Sequence, residues 1–247
     1  MNKLKFRQGN KMFKNIFLIF LTGSVVCILW SCGDKKEEDN SDLLLFLLNS
    51  LGSSNSAAST VVTSCKDASF CRTFVATNNG AGYDGNLGGI SGADAKCAAA
   101  KSSNLTGTYK ALLAAMGTRE AVFVGDGSTR LVDWVLYPNK QYRRSDGTTT
   151  TFTTNANSVV TANLQNSVDV GAEKFYWIGV GNQPATFDWE VSLNCNDWNS
   201  NNAVNFAIDG TTSSNEVFAG DGATPGGAFG SHNTGCNIRL NLLCVEQ

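Results

Sequence analysis

Eight cysteines, one histidine and a glycine-rich loop are the residues whose types and spacing could carry chemistry in this 247-residue chain. Gly80-Ala-Gly-Tyr-Asp-Gly85 spells the G-x-G-x-x-G pattern. A dinucleotide site needs those glycines to open a helix directly after a buried strand, with an acid about 20 residues further on. Here the helical pattern starts near Gly92 and Leu105 stands at the acid's place, so the loop reads as a turn. His232, in Gly230-Ser-His-Asn-Thr-Gly235, is the only histidine, which removes most zinc and histidine-base chemistry and reads as a solvent-facing loop residue. The chain holds no H-E-x-x-H, no G-x-S-x-G, no P-loop lysine motif and no Cys-His pair with a free thiol. The expectation is a protein that is not an enzyme.

Composition bounds what remains. Hydrophobic residues make up 42% and charged residues 16%, so the chain can bury a core. The 26 asparagines and 25 glycines favour turns and loops over helix. Residues 1–31 carry five basic side chains and no acidic one; without them the chain has 14 basic against 21 acidic residues, a net charge of −7. Such a domain repels phosphate backbones, which speaks against nucleic acid as a partner.

The N-terminus reads as an export signal: basic residues Lys3 to Lys14, then fifteen apolar-biased residues from Ile16 to Trp30. That run is short for a membrane span, which needs about 20 residues. Leu29-Trp30-Ser31-Cys32 resembles the lipobox of bacterial lipoproteins, in the looser spirochaetal form that tolerates Trp30. The resemblance implies cleavage before Cys32 and its acylation; Cys27 is the competing candidate, Met12 an alternative start, and a plain membrane anchor the alternative reading. Acyl chains at about 0.8 kcal/mol per buried methylene would hold the protein at a bilayer. The expected division is a signal peptide over 1–31, a lipidated tether over 32–64 and a folded domain over 65–247. As flexible coil the tether spans roughly 30 Å, and its Leu43–Leu48 patch is too short to cross a membrane. Asp34, close behind Cys32, leaves open which membrane retains the protein.

Six cysteines remain: Cys65, Cys71, Cys97, Cys195, Cys236 and Cys244. In an exported domain an even number implies three disulfides, whose connectivity arithmetic alone leaves open. Cys65 and Cys71 flank five residues and can close a small loop before a strand at Arg72–Thr77. Ser91 followed by Asp94 reads as a helix start, placing Cys97 one turn inside a helix. A second helix is expected over Tyr109–Met116, stopped by Gly117. Short β-rich runs follow at Ala121–Val124, Leu131–Leu136, Phe175–Val180 and Ile238–Val245. The hexapeptides Phe123–Ser128 and Phe218–Ala223 echo each other but are too short to make a repeat. Two early helices, a mostly antiparallel twisted sheet and long loops give an α+β fold class.

Trp177-Ile178-Gly179, Cys236 and Leu242-Leu-Cys-Val-Glu246 resemble the C-type lectin-like fold. Phe74-Val-Ala-Thr-Asn, Gly92-Ala-Asp-Ala-Lys-Cys97, Gly107-Thr-Tyr-Lys-Ala-Leu-Leu, Leu136-Tyr-Pro-Asn and Cys195-Asn-Asp-Trp198 follow the order of endostatin, the C-terminal domain of collagen XVIII. With the lipoprotein signal, the whole chain resembles the leptospiral endostatin-like lipoproteins. That resemblance implies bridges Cys97–Cys244 and Cys195–Cys236, leaving Cys65–Cys71 as the third. It also implies an outer-membrane, surface-exposed adhesin binding laminin, fibronectin, complement factor H and plasminogen.

Metal is not expected. Endostatin's N-terminal zinc histidines are missing, and the calcium triplets of sugar-binding C-type lectins are broken: Gln183-Pro184-Ala185 loses a ligand at Ala185, and Ser231-His232-Asn233 replaces Trp-Asn-Asp before Cys236. Calcium needs six to eight oxygens, so a glycan-binding lectin, resting on Asp188, Glu190, Asp197, Asn199 and Asp209, is an alternative only. A structural envelope protein is another. Heparin binding, which the endostatin resemblance implies through a surface arginine cluster, would fall to Lys140, Arg143 and Arg144 with nearby Arg130, a candidate partner-binding patch whose other reading is an ordinary solvated turn. Among the aromatics Trp134, Tyr137, Tyr142, Phe175, Tyr176, Trp177, Phe187, Trp189 and Trp198, most, Trp177 and Trp198 especially, are expected in the core. Trp189 and Trp198 are the candidate anchors if they stay exposed beside the Asn/Gly-rich loop 196–235.

Overall fold

The C-terminal strand organises the domain. In the computed structural model, which describes residues 64–124, 129–181, 189–217, 226–230 and 232–247, β12 (Asn241–Glu246) pairs with three strands. It runs antiparallel to β1 (Phe70–Ala76) on one side. On the other it meets β7 (Phe175–Trp177) in parallel at its start and β2 (Tyr109–Ala111) antiparallel at its end. The expected signal peptide, Met12, Cys27, Cys32, the expected tether up to residue 63, Gln183-Pro184-Ala185, Phe187, Asp188, Ser231, residues 125–128 of the first hexapeptide and all of the second lie outside the described residues.

The sheet continues from β1 to β5 (Gln141–Arg144) in parallel and to β6 (Thr150–Thr153) antiparallel. Beyond β7 it extends to β10 (Phe206–Thr211) and β11 (Asn233–Gly235), both antiparallel steps. Two small ribbons, β3 (Glu120–Phe123) with β4 (Thr129–Val132) and β8 (Val180–Gly181) with β9 (Glu190–Val191), stand apart. The architecture is α+β, with eight strands in the main sheet.

Alternation along β12 divides the core in two. Leu243 and Val245 enter one cluster with Tyr142, Phe152, Tyr176, Trp189 and Phe229. Leu242 and Cys244 enter the other with Leu87, Ile90, Cys97, Trp177 and Trp198. A strand buried on both faces needs a continuous apolar run, which Leu242-Leu-Cys-Val245 supplies.

Helix α1 (Gly89–Ala100) covers the second cluster, burying Ile90, Ala93 and Cys97. It starts two residues before the expected Ser91 cap: Gly88 adopts the left-handed conformation at φ 82° and no side chain caps the helix. Cys97 therefore sits two turns in. The expected second helix is a correction: Tyr109–Ala111 is the strand β2, and its Ala111 lies opposite Cys244. Ala111 to Ala115 are all buried, and Leu112 and Leu113 face opposite clusters, so the apolar run leads on from the strand between two cores.

A second helical element, α2 (Cys195–Trp198), has positive φ at all four residues, from 52° to 64°, and is a single left-handed turn. Three disulfides brace the domain: Cys65–Cys71, Cys97–Cys244 and Cys195–Cys236. They join the pairs that the resemblance implies. The Cys65 N–H donates to the Gln247 carbonyl at 3.1 Å, so the domain enters and leaves at one corner.

Candidate functional site

Three of the seven exposed large apolar side chains among the described residues lie together where β10 begins. Leu193 is 45% exposed, Val204 75% and Phe206 44%, and they line a cleft of about 260 Å³ with Ser192, Asn194, Asn196 and Asn205. Among the described residues none that lines it is charged. The cleft is shaped by α2: the Asn194 side chain accepts the Asp197 N–H at 3.0 Å and donates to the Asp197 carboxylate at 2.9 Å. Behind it the Cys195–Cys236 bridge and the buried Trp198 fix the turn. Phe206 pairs with Gly235 of β11 in the ladder, which holds the backbone that carries its ring. Small apolar anchors ringed by amides can bury area and exchange hydrogen bonds with a partner, as interface cores and rims do.

While the burial of Trp198, like that of Trp177, is the expected one, Trp189 and Trp198 are not such anchors, which corrects their candidacy. Both are fully buried, with indole N–H groups donating to Val160 O at 2.9 Å and Ala114 O at 3.0 Å. A large ring with one polar atom is easily buried once that atom has a partner. The exposed apolar side chains that line the cleft are instead Leu193, Val204 and Phe206. They were not selected in the sequence, although a Val-Asn-Phe stretch inside an Asn-rich loop is a readable signal.

Nor do the basic candidates form one patch. Arg143 and Arg144 are consecutive on a strand, so they point to opposite faces. Arg144 is spent on Ser167, through Nε to the carbonyl at 2.9 Å and Nη2 to Oγ at 2.8 Å. Lys140 Nζ donates to the carbonyls of Lys66 and Ala68, closing the small Cys65–Cys71 loop. Arg130 lies on the β3–β4 ribbon and pairs with Glu120 at 2.6 Å. Of these candidates Arg143 keeps its guanidinium on the face of Phe70, 4.1 Å from the ring centroid.

The acidic residues of the glycan reading are dispersed. Glu190 is exposed on β9, and Asp197 is occupied with Asn194. Asn199 caps α2. Asp209 is buried on β10, where its carboxylate accepts from the His232 N–H at 3.0 Å and Thr234 Oγ1 at 2.6 Å. Burial pushes the Asp209 carboxyl up, against the pull of Thr234 and His232. His232 Nδ1 lies 3.5 Å from the same carboxylate, and its ring rests edge-on to Phe175. Nearby, Ser213 and Thr211 donate to Glu173 and hold its carboxyl down. Among the described residues no three His, Cys, Asp or Glu side chains gather as metal ligands do.

One cluster escaped the sequence reading. Arg119 is fully buried and reaches Asp94 on α1 through both terminal nitrogens at 2.8 Å, Asp133 at 2.7 Å and the Ala111 carbonyl at 3.0 Å. Lys110 joins from outside at 2.8 Å to Asp133. Its signal is a lone cation, Arg119, within the apolar stretch from Ala111 to Phe123. Asp94 is thus an ion-pair partner rather than a cap.

These features define a disulfide-braced α+β domain whose surface presents a neutral apolar cleft and whose charges are largely spent on the fold itself. A model of DUF1554, a family described as proteins of unknown function, matches residues 80–217, more than half of the chain, and the chain belongs to that family. No curated protein matches it.

Proposed function

We propose that this protein is a lipid-anchored, surface-displayed binding module for extracellular-matrix and plasma proteins, with laminin, fibronectin, complement factor H and plasminogen as the partners the resemblance names. The observation that carries this reading is the cleft of Leu193, Val204 and Phe206. Apolar side chains this exposed and this close together, with no charge among the described residues lining their cleft, mark interaction surfaces. We read the fold as C-type lectin-like and endostatin-like. The nested bridges Cys97–Cys244 and Cys195–Cys236, and the meeting of the domain's two ends at Cys65 and Gln247, support that reading. Anchoring at Cys32 and an outer-membrane location belong to the same proposal.

The test is a plate assay of the oxidised full-length protein against those four partners, with and without EDTA. Binding is expected in the oxidised sample, in EDTA, and to fall at least about tenfold on Val204→Asp with Phe206→Asp. Binding that persists after reduction and alkylation, or in the double variant, overturns the reading. Palmitate labelling that survives Cys32→Ala overturns the anchor.

A further inference from the structure

The outer end of β1 carries an arrangement that neither the fold nor the cleft explains. In the parallel β1–β5 ladder Arg72 stands directly beside Arg143. Like charges set side by side on neighbouring strands destabilise a sheet. Both guanidinium groups nevertheless converge on the Phe70 ring, at 5.0 and 4.1 Å from its centroid. They also converge on Gly147: its carbonyl accepts from Arg143 at 3.0 Å, and any side chain there would come within 3.1 Å of Arg72.

Acceptors do not match these donors. Glu246 approaches Arg72 only to 3.8 Å, its Oε2 being engaged by the Arg72 backbone N–H at 2.9 Å. Arg143 has no carboxylate partner among the described residues; its Nε goes to the Gln141 amide oxygen at 2.7 Å. Asp146, on the adjoining turn, is turned onto its own Thr148 and Thr149 N–H groups at 2.7 and 2.9 Å. The buried Tyr109 hydroxyl, within electrostatic reach of Glu246 and Arg72, has no hydrogen-bond partner at all among the described residues. The corner thus has two planar cations and an aromatic platform against one half-engaged carboxylate.

We propose that this corner receives an acidic side chain from an extended segment of a protein partner, the incoming carboxylate bridging Arg72 and Arg143 over Phe70. A guanidinium fork matches a carboxylate in two parallel hydrogen bonds, and the ring holds both forks in place before binding. A sulfated polysaccharide would instead need a long row of cations, and the ammonium of Lys140 is already engaged by the Lys66 and Ala68 carbonyls. The site lies on β1 and β5, apart from the cleft on α2 and β10, and rests on the proposed binding role only for the partner being a protein.

The experiment titrates a fluorescently labelled peptide of alternating glutamate and phenylalanine with the oxidised full-length protein, beside lysine–phenylalanine peptide, heparin and anionic lipid vesicles. The acidic peptide is expected to bind, to weaken with salt, and to lose about tenfold or more in affinity on Arg143→Gln and on Arg72→Gln. Arg143→Lys, which keeps the charge and removes the fork, is expected to fall between. Arg239→Gln, an equal change of charge on an exposed residue elsewhere, is expected to leave binding unchanged. Near-ultraviolet circular dichroism identical to the parent shows that each variant folds. No binding of the acidic peptide, equal loss on Arg239→Gln, or preference for heparin or vesicles overturns the proposal. Because the probe contains none of the four candidate partners, failure here is separate from failure of the plate assay.

Discussion

Arg119 and Asp94 face each other fork to fork, Nη1 to Oδ1 and Nη2 to Oδ2, both at 2.8 Å, with the arginine wholly buried. Burial opposes the guanidinium's charge, yet Asp94 and Asp133 hold its pKa above the ordinary value. The pair joins α1 to β2, since Asp94 also accepts the Ala111 N–H at 2.9 Å. Removing one member of such a buried pair strands the other. Arg119→Met is expected to cost about 3–5 kcal/mol of stability, measured by urea unfolding of the oxidised protein. A loss below about 1 kcal/mol would mean that the cluster is replaceable.

Asp209 sets a pH dependence of opposite sign to an ordinary ion-paired acid. Its folded pKa is raised by burial, so its contribution to stability is complete below the unfolded value of about 3.9 and is lost as pH rises through the folded value. Asp209→Asn keeps the neutral form throughout. The variant's stability relative to the parent is expected to climb with pH above about 4, read from melting temperatures across an acid-to-neutral series. A flat difference would show that the carboxylate is not held up.

Asp133 works the other way. Burial alone would raise its carboxyl, but Lys110 and Arg119 pull it below the ordinary range. Stability from this group is present above the unfolded pKa of about 3.9 and lost as pH falls through the lower folded value. Asp133→Asn is expected to flatten the acid limb of the same melting series, and an unchanged acid limb would refute the assignment.

Gly179 packs where no side chain fits. Its φ is +68°, and a Cβ would approach Trp198 Cζ2 to 2.7 Å and the Ala114 carbonyl to 2.8 Å. Gly179→Ala is expected to destabilise by about 1–3 kcal/mol from overpacking alone, with left-handed strain added. Tryptophan emission should shift as Trp198 loses its bond to Ala114. Unaltered emission and melting would show that the turn at Cys195–Trp198 can yield.

The bridges are expected to rank by loop length. Closing 147, 41 and 6 residues of sequence separation restricts the unfolded chain by roughly 5, 4 and 2 kcal/mol. Paired cysteine-to-serine variants should therefore melt lowest without Cys97–Cys244 and highest without Cys65–Cys71. The reverse order would mean that native contacts, not chain entropy, dominate.

Composition and cysteine spacing by themselves determined a great deal: a mixed α+β class, an early helix carrying Cys97, a terminal strand carrying Cys244, and an oxidised frame. Those features are local or combinatorial, so residue type and spacing suffice to read them. The run Ala111 to Ala115 shows where that ends. Its residues favour helix, but the backbone of Ala111 pairs with Cys244, and cores on both sides take the alternate side chains. Burial on two faces erases the periodicity that would distinguish strand from helix. Consecutive Arg143 and Arg144 look like one patch in the sequence and part to opposite faces once the chain is pleated. Which aromatic rings vanish, which of Leu193, Val204 and Phe206 stay outside, and which cations meet over Phe70 depend on contacts between residues far apart in the chain. Only the assembled sheet decides them, because exposure belongs to a packed surface and not to a residue.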